Sequence, residues 1–247
     1  MKNLLIYLNP DGFDEESAKL IKLQIDNSLE LLWKPDDIVL VTDFVYDYRG
    51  IKAVVIDKGF CSFKKEASKI TGIVHLFDIG FFQDGTIYWC HDLDAYQLET
   101  ITEEELGLSG LDAGFNDYCR IPQWQLGSFF FKKGAEDIFR SIAEGIKPGV
   151  DEFGKLQHDE FVLLHLTDNN VNNINSRIKR LNTTYDFGMR KVEMCYERAI
   201  KPLKILHFHP HNKMINTLAI AMYGKNRIKK PLMNERLIKI FQKYGYT

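Results

Sequence analysis

Thr86-Ile87-Tyr88-Trp89-Cys90-His91-Asp92-Leu93-Asp94 is the stretch on which the reading of this chain turns. Thr86 to His91 has the apolar, β-branched and aromatic character of a buried or half-buried strand. It delivers two carboxylates, one residue apart, at its carboxyl end. In open α/β folds the carboxyl ends of the strands form the crevice in which ligands bind. Two carboxylates spaced so that both can turn toward one ion make a hard-oxygen site for Mg²⁺ or Mn²⁺, and such an ion commonly holds a phosphate. A strand followed by an Asp-rich turn fits the same nine residues, so the rest of the chain has to decide.

Toward the N-terminus, Leu4 to Leu8 is a short apolar run ending in Asn9-Pro10-Asp11-Gly12, a first strand feeding a loop. Glu15 to Leu32 places Leu20, Ile21, Ile25, Leu29 and Leu32 at helical spacing. Ile38 to Val41 reads as a second strand ending at Thr42-Asp43, and Ile51 to Ile56 as a third. Phe63 to Phe82 reads as a helix with Ala67, Ile70, Val74, Phe77 and Phe81 along one face. This alternation predicts an α/β fold with a Rossmann-like, mixed, mostly parallel sheet flanked by helices.

Beyond Asp94 the character changes. Eight carboxylates fall between Asp92 and Asp117 with no Lys or Arg among them. Gln125 to Phe131 is apolar and aromatic, and Ala135 to Ile146 has a helical pattern. Lys147-Pro148-Gly149 is a turn leading to a helix over Asp159 to Leu166, and the five asparagines of Asn169 to Asn175 mark a loop or helix start. Leu203 to Phe208 is a strand candidate followed closely by His209 and His211. From Lys225 to Lys243 the chain carries seven basic residues and one acid. The expected organisation is a nucleotide-sugar-binding half over 1–100, an acceptor and catalytic half of the same domain over 101–224, and a basic helical extension over 225–247.

The 247 residues, 45% hydrophobic and 27% charged with a formal net charge of -2, are those of an ordinary globular protein rather than a nonspecific polyanion binder. Cys61, Cys90, Cys119 and Cys195 form no CxxC pair, which removes a zinc ribbon and a dense disulfide framework. No stretch approaches the roughly 20 apolar residues of a membrane span, and Lys2 to Asn9 is too short for a signal peptide. The expectation is a cytoplasmic protein, in a host's cytoplasm if viral, or one lying peripherally on an inner membrane face.

Four segments, in this order, resemble the metal-dependent glycosyltransferases of the GT-A fold, in layout the glycogenin-like and lipopolysaccharide galactosyltransferase-like group. Trp89 to Asp94 resembles the group's apolar strand and DxD motif. Trp124-Gln125-Leu126-Gly127-Ser128-Phe129-Phe130-Phe131-Lys132-Lys133 resembles its small-residue turn and apolar strand at the sugar pocket. His158-Asp159-Glu160-Phe161-Val162-Leu163-Leu164 is like its helix start with an acid beside the donor or acceptor sugar. In His207-Phe208-His209-Pro210-His211-Asn212-Lys213, His207 and Lys213 have the spacing of the group's metal-binding His and diphosphate-binding Lys. Pro210 replaces that group's glycine, and Met214-Ile215 its Pro-Trp.

The resemblance implies transfer of a hexose from a nucleotide-diphosphate sugar, UDP-linked, to a hydroxyl of a glycan or glycolipid, by a retaining enzyme. Asp92, Asp94 and a late His, His207 or His209, make a mixed oxygen and nitrogen site for Mn²⁺ or Mg²⁺, the His favouring Mn²⁺. A divalent cation and Lys213 would stabilise charge on the departing diphosphate. Asn9 or Asp11 is placed to hydrogen-bond a uracil edge and Tyr7 or Tyr46 to stack on it, with Asp43 and Asp57 at neighbouring strand ends. Lys65 and Lys69, one turn apart, are candidates to reach a phosphate or the donor sugar. Asp159 and Glu160 are the candidates for work at the anomeric carbon, and Asp112 and Asp117 for acceptor hydroxyls or a second metal.

Other functions stay in view. A nucleotidyltransferase shares paired acids and Mg²⁺, but Asn9 to Phe13 lacks the basic, Gly-rich loop it needs. A two-metal hydrolase needs further acids, and a non-enzymatic nucleotide-binding protein explains poorly the polar groups collected at strand ends. No GxGxxG follows the first strand, which disfavours a dinucleotide-binding dehydrogenase. The basic tail suits either viral DNA with hydroxymethylated bases as acceptor or contact through residues 225–243 with an anionic membrane.

Overall fold

A computed structural model describes residues 1–119, 121, 123–146, 158–189, 195–210, 217–224 and 230–246. In chain order the elements that shape the main sheet begin with β1 (Lys2–Tyr7), α1 (Glu15–Glu30), β2 (Ile38–Thr42), the two-residue pair β3 (Asp47–Tyr48) and β4 (Ile51–Lys52), and β5 (Val54–Val55). There follow α2 (Ser68–Asp78), β6 (Tyr88–His91), β7 (Ala95–Gln97), α3 (Glu103–Leu106), β8 (Ala113–Asp117), β9 (Trp124–Phe131), α4 (Glu136–Gly145), α5 (Asp159–Asp168), β10 (Ile178–Leu181), β11 (Phe187–Gly188) and β12 (Ile205–His207). Helices over Thr217–Tyr223 and Glu235–Lys243 complete the described chain.

Seven strands form one sheet in the order β10-β8-β9-β6-β1-β2-β5. The pairs β1/β2, β1/β6, β2/β5 and β8/β10 are parallel, and β9 alone runs antiparallel to both its neighbours, β6 and β8. The expected mixed, mostly parallel sheet flanked by helices is therefore present. Every residue of β6 and β9 is buried, as two-sided coverage requires of central strands. Tyr88 and Cys90 face the core shared with α2, α4 and α5, whereas Ile87 and Trp89 face a second cluster on the other side.

Two elements differ from the sequence expectation. Ile51 to Ile56 is divided between β4, which pairs with β3, and β5 at the sheet edge, because Ala53 N–H turns back to the carbonyl of Tyr46. The α-helix of the 63–82 segment covers only Ser68–Asp78. Its C-terminal end is closed by Gly80 in the left-handed conformation, φ 70°, and Phe81 and Phe82 pack back under Tyr88. The turn at Lys147-Pro148-Gly149 lies outside the described residues.

A second sheet, β11-β12-β7, determines the site. β12 is its middle strand, antiparallel to β7 and parallel to β11, so that His207 lies opposite Ala95 on one side and Gly188 on the other. Beneath it Tyr96, Phe208, Leu237 and Phe241 form a separate core with the C-terminal helix. That helix is tied to α1 through buried Asp26, which accepts from Lys243 Nζ (2.5 Å), Tyr244 Oη (2.7 Å) and Arg49 Nη1 (3.0 Å). Arg236 donates to the Asn27 side chain and, at 3.2 Å, to the carbonyls of Gln97 and Leu98. Two of the tail's cations thus hold the fold, while Lys230 and Lys239 are exposed; residues 225–229 lie outside the described residues.

Candidate active site

The strand β6 ends where Asp92 N–H leaves the ladder and donates to the carbonyl of Gly127 on β9 (2.7 Å). The turn Asp92-Leu93-Asp94 then closes through Ala95 N–H to the carbonyl of Asp92 (3.1 Å) and enters β7. Pairing of β7 with β12 carries the late histidine to this turn, with Phe208 N–H donating to the Asp94 carbonyl (3.0 Å). His207 Nε2 stands 3.3 Å from Asp94 Oδ1 and 3.9 Å from Asp92 Oδ2. Ligand atoms of Asp92, Asp94 and His207 all lie within 4.8 Å of one another, the one such cluster among the described residues. Two carboxylates and an imidazole at that spacing fit a divalent ion of the Mn²⁺ or Mg²⁺ type.

The other ring nitrogen of His207 faces a residue that the sequence reading overlooked. Asp186 Oδ1 is 2.9 Å from His207 Nδ1, and Asp186 is fully buried. Its second oxygen accepts from Ser128 N–H (2.8 Å). Nothing in the polar run Asn182-Thr183-Thr184-Tyr185 announces this role, which depends on β11 pairing with β12 nineteen residues later in sequence. Gly127 makes the approach possible: a Cβ there would fall 2.1 Å from His207 Cε1 and 2.2 Å from Nδ1.

Lys69 is drawn into the same site, buried, with its ammonium 2.5 Å from both Asp92 Oδ1 and the carbonyl of Leu126. Burial disfavours its charge, but Asp92 and Asp159 outweigh this and raise its pKa. Burial pushes Asp92 up from its ordinary value against the pull of Lys69 and His207. Asp94 also meets a burial penalty, yet His207 holds it down to about 2. For His207 burial opposes the imidazolium, while Asp186 and Asp94 together lift it well above an ordinary histidine.

These groups open onto a cavity of about 500 Å³ whose lining also includes His158, Asp159 and Glu160 at the start of α5, a size usual for small-ligand sites. Burial, reinforced by Asp159, pushes Glu160 up to about 7, and its Oε1 accepts weakly from Leu126 N–H (3.4 Å). Cys195 also lines the cavity, but burial and the neighbouring Cys119 push its thiol to about 12, which does not suit a nucleophile.

The remaining candidates fall elsewhere. His209 turns toward Glu16 of α1 (3.5 Å) and is not in the ligand cluster, although it lines the cavity. Asn9 N–H donates to Asp43 Oδ1 (2.9 Å), which links the loops after β1 and β2. Tyr7 and Tyr46 each pack on Phe13 in an aromatic cluster at those strand ends, with centroids 4.8 Å and 4.9 Å away. Asn9 Oδ1 is buried there without a hydrogen-bond partner. Asp11 is exposed, and Asp57 stands 3.5 Å from His75. Lys65 lies on an exposed turn, apart from Lys69. Asp112 and Asp117 pair with Arg177 (2.8 Å) and Arg198 (2.7 Å), so neither joins the metal cluster. Lys213 and His211 lie outside the described residues.

Solved structures share this arrangement of elements. The galactosyltransferase LgtC in complex with donor and acceptor sugar analogs superposes with a TM-score of 0.59 at 12% identity, over 100% of this chain and 97% of the other. The fold is that of the GT-A glycosyltransferases. The glycosyltransferase GlyE of Streptococcus pneumoniae TIGR4 gives 0.57 at 13% identity over the whole of this chain, which spans 61% of GlyE's length. Mouse xyloside xylosyltransferase 1 gives 0.50 at 14% identity, over 87% of this chain and 98% of the other. No protein-family model matches the sequence, and no curated protein matches it significantly. No described helix is long and apolar enough to cross a membrane.

Proposed function

We propose that this protein is a metal-dependent glycosyltransferase that moves a hexose from a UDP-linked sugar to a hydroxyl of a glycan or glycolipid. The observation that carries the reading is the convergence of Asp92, Asp94 and His207 on one cavity that Asp159 and Glu160 also line. Asp92, Asp94 and His207 would hold the ion, whose chemistry is to neutralise charge developing on the leaving diphosphate. Lys69 fixes Asp92 through its 2.5 Å contact and adds a positive charge beside the phosphates. By the resemblance of its segment, Lys213 takes a further diphosphate oxygen.

Glu160, with a carboxyl near neutrality, is the group that faces the sugar, and Asp159 stands beside it. In a retaining reaction one of them stabilises or attacks the anomeric carbon from behind. The aromatic cluster of Tyr7, Phe13 and Tyr46, with Asn9 and Asp43, receives the base. Residues 1–100 then serve the donor and 101–224 the acceptor, with exposed Lys230 in the tail turned to an anionic acceptor or surface.

A screen of nucleotide sugars for slow hydrolysis tests this reading. One UDP-sugar should be hydrolysed with Mn²⁺ and not with excess chelator. Absence of metal-dependent hydrolysis across UDP-, GDP- and ADP-sugars would overturn it. Binding of the protein to hydroxymethylated DNA, falling steeply with salt, would redirect the acceptor from glycans to DNA.

A further inference from the structure

We propose that Asp186 is a positioning residue that fixes the tautomer of His207, so that Nε2 and not Nδ1 is offered to the ion and the site prefers Mn²⁺ to Mg²⁺. The inference rests on the metal-dependent reading above and assigns a role to a residue outside the three ligands.

Asp186 is fully buried, and among the described residues no lysine or arginine pairs with it. A buried carboxylate whose one charged partner is a histidine is costly, and a purely structural tie between β9 and β11 would be served as well by a neutral side chain. The geometry supplies a better reason. One oxygen is fixed by Ser128 N–H at 2.8 Å, which leaves the other aimed at His207 Nδ1 at 2.9 Å. A carboxylate so placed can only accept, so the ring nitrogen facing it carries the hydrogen. Nε2, the nitrogen directed at Asp94 and Asp92, is then the one that gives up its hydrogen when a metal binds.

Gln125 competes for the same position, its amide nitrogen being 3.2 Å from Nδ1. The two arrangements are not equivalent. An amide can be turned end for end to present its oxygen, whereas the carboxylate has no donor to present. Gly127 completes the design, since a Cβ at that residue would also come within 3.0 Å of Asp186 Oδ2. Carboxylate, histidine and metal in this order form an arrangement whose outer member orients the ligand. With Nε2 withdrawn, Asp92 and Asp94 alone remain a hard-oxygen site that no longer distinguishes Mn²⁺ by its nitrogen.

Asp186→Asn tests this, because asparagine keeps the shape but can satisfy only one of Ser128 N–H and His207 Nδ1–H. Titration calorimetry with Mn²⁺ alone and Mg²⁺ alone should show Mn²⁺ affinity falling about 10- to 100-fold, Mg²⁺ affinity changing far less, and the preference between them collapsing. Nitrogen-15 NMR of the parent protein with Zn²⁺, a diamagnetic substitute, should show His207 protonated at Nδ1 and bound through Nε2. That measurement decides the tautomer even if the variant does not fold. Metal bound through Nδ1, or an unchanged Mn²⁺ to Mg²⁺ ratio in Asp186→Asn, would overturn the role of Asp186 and leave the metal centre standing. A parent protein that binds neither ion would refute the centre itself, and the role of Asp186 with it.

Discussion

Replacing Gly127 with alanine adds one methyl group at the closest approach in the site. The new Cβ would sit 2.1 Å from His207 Cε1 and 2.2 Å from Nδ1. Carbon atoms rest about 3.5–4.0 Å apart, so the ring has to retreat by more than about 1 Å. Gly127 lies inside β9, and its backbone is not among the left-handed residues, so conformational strain is not the source of the effect. His207 Nε2 stands 3.3 Å from Asp94 Oδ1, whereas metal-ligand distances tolerate only about 0.2 Å. A retreat of that size removes His207 from the ligand set. Mn²⁺ affinity should fall at least about 100-fold, beyond the usual cost of losing an outer partner. Overpacking should also cost about 1–3 kcal/mol, or about 3–10 °C in melting temperature for a chain of this size. Calorimetry and thermal denaturation read the two effects separately. In the double variant Gly127→Ala/His207→Ala the main clash is gone and only the 3.0 Å approach to Asp186 Oδ2 remains, so it should melt much closer to His207→Ala alone than additivity predicts, a non-additivity that marks direct contact. A Gly127→Ala protein that binds Mn²⁺ like the parent would refute the placement of His207 against β9.

Three further outcomes follow from the charges. Glu160 has a folded pKa of about 7, raised above its unfolded value, so its contribution to stability is fully present only below the unfolded pKa and is lost as pH rises through 7. Glu160→Gln should therefore gain on the parent by something on the order of 2 kcal/mol between about pH 5 and 8; denaturant melts at the two pH values check this, and a constant difference would contradict it. His207 is held well above the ordinary histidine range without metal, so an ion must displace its proton. Mn²⁺ binding should tighten as pH rises from about 6 to 8, with proton release visible as a buffer-dependent calorimetric enthalpy, and a pH-independent affinity would count against it. Asp26→Ala should release the C-terminal helix from α1 at a cost of about 2 kcal/mol, less than for a fully buried pair because Lys243 and Arg49 are half exposed. Mn²⁺ affinity should be unchanged in that variant, and a loss there would mean that the helix supports the site.

The carboxylates of the site were legible because a short apolar and aromatic run announces its own end, and Asp92 and Asp94 stand just beyond it. His207 was legible through its place in a short motif, and the antiparallel pairing of β12 with β7 is what brings it to Asp94. Asp186 was invisible because its function exists only in the pairing of two strands of two and three residues, too short to leave a pattern. The edge of the main sheet was misread for a related reason. Val54-Val55 and Ile51-Lys52 have the same β-branched or apolar signature, and only the backbone turn at Ala53 separates them into different sheets. Asp112 and Asp117, in the run of eight acids that begins with Asp92, were candidates for acceptor hydroxyls or a second metal. Their arginine partners, Arg177 and Arg198, come from distant segments, so sequence proximity alone could not reveal that Asp112 and Asp117 hold the fold. The tail divides in the same way, since Arg236 and Lys243 pair with α1 and β7 while Lys230 and Lys239 stay exposed.

In the proposed site Asp92, Asp94 and His207 hold a divalent ion that in turn holds a nucleotide diphosphate. Titration calorimetry of UDP into the protein, with Mn²⁺ and with excess chelator, tests it most directly. UDP should bind the parent only with Mn²⁺ present and should fail to bind Asp94→Asn, with the variant's melting temperature close to the parent's in the absence of metal. UDP binding of equal strength with and without Mn²⁺, or undiminished metal-dependent binding in Asp94→Asn, would contradict it.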